Sequence, residues 1–185
     1  MQWQLPGTVL TLSREDAGRI EEIFSTMFLA GGLVLSQVAE LTGLEPHTVQ
    51  NWVKRGFLTP PERKRYSMRQ LCRILNINAF RGVLSLERIC GMLRYVNGKL
   101  DDYSDDIIDD SQLYFMFAGL AAGIRELDHA HGYEESIKKV LEEHAESVVG
   151  NRERVETVLR IMLTAYAAAR MQQQAETMLF DIERS

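Results

Sequence analysis

The chain has 185 residues, 45% hydrophobic, 25% charged and 8% aromatic, with 13 Gly and 4 Pro, a mix that excludes disordered, collagen-like and fibrous chains. The net charge of −5 hides a segregation: residues 45–81 carry Lys54, Arg55, Arg63, Lys64, Arg65, Arg69, Arg73 and Arg81 against Glu45 and Glu62, a net +6, which leaves −11 for the remainder. Such a basic island attracts polyanions through its local field, although a solvated basic face without a partner has the same composition.

Two cysteines, Cys72 and Cys90, give neither a disulfide framework nor metal-ligand spacing, which points to a reducing compartment and to small buried apolar residues. The start, MQWQLPGTVL, lacks the basic and apolar regions of a secretory signal. The longest apolar run, Leu113 to Ile124 (LYFMFAGLAAGI), falls short of the roughly 20 residues that span a bilayer. The expectation is a cytoplasmic protein with no membrane partner.

In chain order, Ser13 and Asp16 form a capping pair for a first helix, Arg14 to Ala30, whose apolar face is Ile20, Ile23, Phe24, Met27 and Phe28. Gly31-Gly32 breaks it. A short helix from Ser36 to Thr42 follows, with Val38, Ala39 and Leu41 inward, and Gly43 stops it. Pro46 suits the first turn of a helix that runs to Arg55 before Gly56. The proline-rich stretch Phe57–Tyr66 reads as a small β-hairpin or extended arm. Ser67 and Gln70 cap a helix to Phe80, and Ser85 starts another along Leu86, Ile89, Met92, Leu93 and Val96.

The segment 101–110, DDYSDDIIDD, with six aspartates, marks a connector. Three helices are expected beyond it: Ser111 to Leu127, Glu134 to Val149, and Asn151 to Ile182, with breaks at Gly132 and Gly150. In the last, Val155, Val158, Met162, Ala165 and Ala169, then Met178, Leu179 and Ile182, trace an apolar stripe interrupted at Gln172 to Gln174. The expected organisation is an N-terminal helix (1–32), a domain at 33–100, the acidic connector (101–110) and a helical domain (111–185).

Residues 35–96 carry the functional pattern. Two short helices joined by a glycine turn, with Ala39 at their crossing, make a helix-turn-helix. The second helix has an apolar face of Val49, Trp52 and Val53, which spacing assigns to the core, and leaves His47, Thr48, Gln50, Asn51, Lys54 and Arg55 outward. Thr48, Gln50 and Asn51 suit base edges in a major groove, and Lys54 and Arg55 suit phosphates. The following arm and its exit add Arg63, Lys64, Arg65, Tyr66 and Arg69, placed to meet flanking backbone or minor groove.

Residues 34–96 resemble the DNA-binding domain of the MerR family of bacterial regulators, in SQVAELTGL, HTVQNWVKRGFL, KRYS and LSLERI. The stretches VKRGFLTPPERKRYSMRQL and DDYSDDIIDDSQLY are similar to an uncharacterised bacterial family with a MerR-like domain and no assigned effector. The resemblance implies a mainly α protein: a winged helix-turn-helix plus an all-helical C-terminal domain. It implies a regulator of transcription that binds double-stranded DNA and, through its C-terminal helices, forms a homodimer. Gln50 stands where that family has a basic residue, and Asn51-Trp52 replaces a tyrosine pair, so the target sequence does not carry over. The long dimerisation helix and cysteine metal loop expected after Val96 are not recognisable.

No nucleophile motif, phosphate loop or HExxH helix is found, so neither catalysis nor a cofactor is expected. His129 and His131 are two residues apart and diverge on a helix, which argues against a zinc pair. The aspartate cluster lacks the pattern of a calcium loop; Asp109, Asp110 or Ser111 suits a helix cap. The alternative is a protein-interaction module on the same scaffold.

Overall fold

The structure, a computed structural model, describes residues 2–124 and 133–184. It is mainly helical, with eight α-helices and two short two-stranded ladders among the described residues. His129, His131, the break at Gly132 and the expected helix end at Leu127 lie outside the described residues.

The chain opens with a hairpin that periodicity does not signal: β1 (Gln2–Gln4) pairs antiparallel with β2 (Thr11–Ser13). Gly7 in its turn has φ +73°, and a Cβ there would sit 2.3 Å from the Leu75 carbonyl oxygen, so only glycine fits. The Ser13 hydroxyl accepts from the Glu15 N–H, and the expected first helix splits into a 3₁₀ turn (Arg14–Arg19) and α1 (Ile20–Met27). Ile20 and Phe24 point into the core.

Next come β3 (Leu33–Val34), α2 (Leu35–Thr42), α3 (Pro46–Lys54), β4 (Arg65–Tyr66), α4 (Met68–Phe80) and α5 (Leu86–Asn97). The expected stops occur: Gly43 is left-handed at φ +68° and Gly56 at +73°. Ser67 and Gln70 make the capping box of α4, each side chain taking the other's backbone N–H. Ser85 caps α5.

Beyond α5 lie α6 (Asp110–Gly123), α7 (Tyr133–Glu143) and α8 (Arg152–Glu183). Asp109 caps α6, its carboxylate accepting from the Ser111 N–H at 2.7 Å. Helix α7 stops six residues before the expected Val149, followed by a 3₁₀ turn at Ala145–Ser147.

Helix α4 is the axis of the fold. Every residue from Leu71 to Ile77 is buried, the mark of a helix enclosed on all sides. It packs against α2, α5, α6 and α8, with the Phe80 and Phe117 rings in tilted contact, centroids 5.2 Å apart. One continuous core runs from Trp3 to Tyr166. The hairpin is sewn into it: the Tyr114 hydroxyl donates to the Pro6 carbonyl at 2.8 Å, the Val9 N–H to Leu41 at 3.0 Å, and the Asn78 amide to both Gly7 (2.9 Å) and Thr42 (3.0 Å).

The acidic segment is likewise built in. The Ile107 N–H donates to Val96, Asn97 donates to the Ile108 carbonyl at 2.8 Å, and Ile108 is buried. No helix among the described residues is long and apolar enough to cross a membrane. Cys72 and Cys90 are free and buried, and burial pushes both thiols up, Cys72 well above the usual range. Iodoacetamide at pH 8 should therefore leave the folded chain unmodified and add two groups only in denaturant, read by mass spectrometry; labelling of the native chain would contradict this packing.

The expected stripe on α8 is not one face. Val155, Val158, Met162 and Ala165 are buried in the core, whereas Met178, Leu179 and Ile182 are exposed. At 3.6 residues per turn the later residues rotate away from the earlier ones.

Candidate nucleic-acid interface

Helix α3 is held by Val49 and Trp52, both buried. His47, Gln50, Asn51 and Lys54 are exposed on its other side, and Thr48 is half-buried. Pro46 at the start costs nothing, since the first N–H groups of a helix lack internal partners. Helix α2 contacts both α3 and β4, so the α3 face and the β3–β4 ladder are mounted on one support.

In that ladder Leu33 pairs with Tyr66 and Val34 with Arg65; at the start of β4, Glu62 and Arg65 form a separate antiparallel bridge, closed by a tight turn through the Arg65 N–H to Glu62 carbonyl bond at 2.8 Å. At the tip, Arg63 and Lys64 have φ of +48° and +63°, the only non-glycine residues with positive φ among the described residues. Both central residues left-handed is the type I′ hairpin geometry, in which Asn-Gly is favoured. Each non-glycine residue there costs about 1 kcal/mol, so the turn holds two exposed cations where glycine would be easier.

The remaining expected site residues are more constrained. Arg55 pairs with Glu87 at 2.6 Å while lying over the Phe57 ring. Arg65 is exposed, and its guanidinium donates to the Gly32 carbonyl at 2.8 Å. Tyr66, expected on the DNA side, is 2% exposed and part of the core; burial raises its pKa. Arg69, also expected there, turns toward the acidic segment: it pairs with Asp106, Asp109 (3.0 Å) and Asp110 (3.7 Å) and lies 3.9 Å over the Tyr103 ring. Arg73 is buried and reaches Asp110 at 3.2 Å and the Phe57 carbonyl at 2.9 Å. Charge counting along the chain places Arg69 and Arg73 in the basic island; folding neutralises them with aspartates 37 and more residues away. Among the described residues, the exposed cations of this island without a carboxylate in hydrogen-bond or ion-pair reach are Lys54, Arg63, Lys64, Arg65 and Arg81, the first four of them on α3, on the turn and at the start of β4.

Burial is the largest influence on the Asp106 and Asp110 carboxyls and raises both pKa values, with the neighbouring arginines pulling the other way. Among the described residues no three His, Cys, Asp or Glu side chains gather so as to hold a metal ion.

Residues 29–117 match the family model of DUF1836, a domain of unknown function. The match runs past the acidic segment into α6. An uncharacterised protein of Bacillus subtilis (strain 168), YkrK, is 28% identical over 116 residues, 60% of this chain and 50% of that protein, so the chain spans about half the length of the curated relative. No solved structure matches.

Proposed function

We propose that the chain is a DNA-binding regulator of transcription, MerR-like in its α2–α3 helix-turn-helix and β3–β4 wing. Helix α3 enters the major groove, Gln50 and Asn51 read base edges, and Lys54, Arg63, Lys64 and Arg65 meet phosphates. The observation that carries this reading is the hairpin tip. Arg63 and Lys64 are kept in left-handed backbone, a cost that cations at an exposed turn do not recover within the fold and that phosphate contact would offset. Tyr66 and Arg69 have no part in it, because their side chains are engaged inside the protein.

The second reading is a protein-docking module on the same scaffold. It is favoured by the loss of Arg55, Arg69 and Arg73 to Glu87 and the aspartates.

A salt series on mixed duplex DNA separates the two. Log K falls by about 0.9 per phosphate neutralised for every decade of salt, so contacts from four cations predict a steep line, and a flat one favours protein docking. Replacing Arg63 and Lys64 with glycine should leave the urea midpoint equal or slightly higher while reducing the salt slope by about 2. Gln50→Ala and Asn51→Ala should leave the slope alone and erode preference between sequences by about 1 to 3 kcal/mol per base pair misread. Equal effects of both pairs on random DNA would refute these roles.

A further inference from the structure

Arg55 closes α3 and is held at three points. Its backbone N–H donates to the Asn51 carbonyl at 3.0 Å, its guanidinium pairs with the Glu87 carboxylate of α5 at 2.6 Å, and it lies 4.7 Å over the Phe57 ring. Phe57 is fixed in turn: its N–H donates to the Trp52 carbonyl at 2.9 Å, and its own carbonyl accepts from buried Arg73 at 2.9 Å. The fold therefore places this guanidinium, one helical turn beyond exposed Asn51. Arg65 differs, because its bond to the Gly32 carbonyl is to a neutral group and leaves its charge in place. With Glu87 opposite, Arg55 adds no net charge to the outward side of α3.

Stability does not account for the pair. The Arg55 and Glu87 side chains are 54% and 63% exposed, and exposed pairs typically add little to folding. An acid in the first turn of α5 suits the helix dipole wherever its carboxylate points, yet Glu87 reaches 32 residues back to α3. A carboxylate offers a guanidinium the same kind of oxygen pair that a phosphate does.

We infer that Glu87 is a positioning residue for the nucleic-acid face: its carboxylate takes the place of a phosphate on Arg55 and limits the phosphate contacts to those of Lys54, Arg63, Lys64 and Arg65. The inference rests on the DNA-binding reading and deepens it. A phosphate contact strengthens binding to every sequence, so the withheld one loosens the grip on duplex DNA at large and leaves a greater share of the interaction to Gln50 and Asn51. A phosphate approaching Arg55 would also meet the charge of Glu87, which repels it.

Titration of the full chain with mixed duplex DNA across a salt series tests this. Glu87→Gln keeps the side-chain shape and removes the charge. It should steepen the fall of log K by about 0.9 per decade of salt, a gain of about eightfold at about 0.1 M for lines that converge at about 1 M. The double variant R55Q/E87Q should return to the unaltered line. Glu146→Gln, which removes an exposed acid from the turn before α8, should leave the line alone. Because the pair is exposed, circular dichroism and the urea midpoint should hold in each variant. A flat line for the unaltered protein overturns the DNA-binding reading itself. A steep line that E87Q does not steepen, a gain that persists in R55Q/E87Q, or an equal gain from Glu146→Gln overturns the role of Glu87 alone.

Discussion

Asp110→Ala should lower the unfolding free energy by about 3 to 5 kcal/mol in urea denaturation, because it strands the Arg73 guanidinium in the interior. Asp110 is 2% exposed and Arg73 6%, and the two meet at 3.2 Å. The Asn76 amide also donates to the Asp110 backbone, so the pair sits at the junction of α4 and α6. Burial opposes the charge on Asp110 more strongly than the arginines favour it, which raises its pKa. Replacing both partners, Arg73→Met with Asp110→Leu, should therefore recover most of the loss. The same balance fixes a pH sign. A carboxyl whose pKa is raised by folding adds stability at low pH that is lost as pH rises from the ordinary carboxylate range through the raised value, and Asp110→Asn should remove that part of the profile. A single substitution costing under 1 kcal/mol would mean that Arg73 finds water.

A fragment of residues 33–100 should show no cooperative urea transition and no near-ultraviolet circular dichroism, although it contains the whole α2–α3 pair and wing. It keeps α4 but removes α6, α8 and the β1–β2 hairpin, which cover it. Leu71, Cys72, Ile74, Leu75, Ile77 and Phe80 have no exposed surface in the intact chain. Each such side chain returned to water costs about 1.5 to 3 kcal/mol, and a few of them exceed the 5 to 15 kcal/mol that holds a typical domain together. A sharp two-state transition in the fragment would show that α2 to α5 support one another unaided.

The helices of this fold were legible because their ends carry local chemistry. Ser67–Gln70, Ser85, Asp109, Pro46, Gly43 and Gly56 act on N–H and carbonyl groups within a few residues, and the structure uses each as expected. The β1–β2 hairpin was not legible: its strands are three residues long, and they are fixed by Asn78, Tyr114 and Leu41, partners remote in sequence. The candidate site divides the same way. The outward side of α3 follows from the period set by Val49 and Trp52. The fates of Tyr66 and Arg69 do not, since alternation puts Tyr66 on the inner side of its strand only once the pairing with Leu33 is known, and Arg69 is claimed by carboxylates about forty residues later. On α8 the apolar residues were visible, but which of two sides meets the body depends on where the helix docks.

The double hydrogen bond of Asn78 makes the amino terminus a structural wedge for the turn that precedes α3. One amide nitrogen clamps the hairpin tip at Gly7 and the last residue of α2 at Thr42, two segments that share no strand or helix. A bulky fusion that lifted β1 would release that clamp and let the α2–α3 elbow swing, so a purification tag at this end would act on the geometry of α3 without touching it.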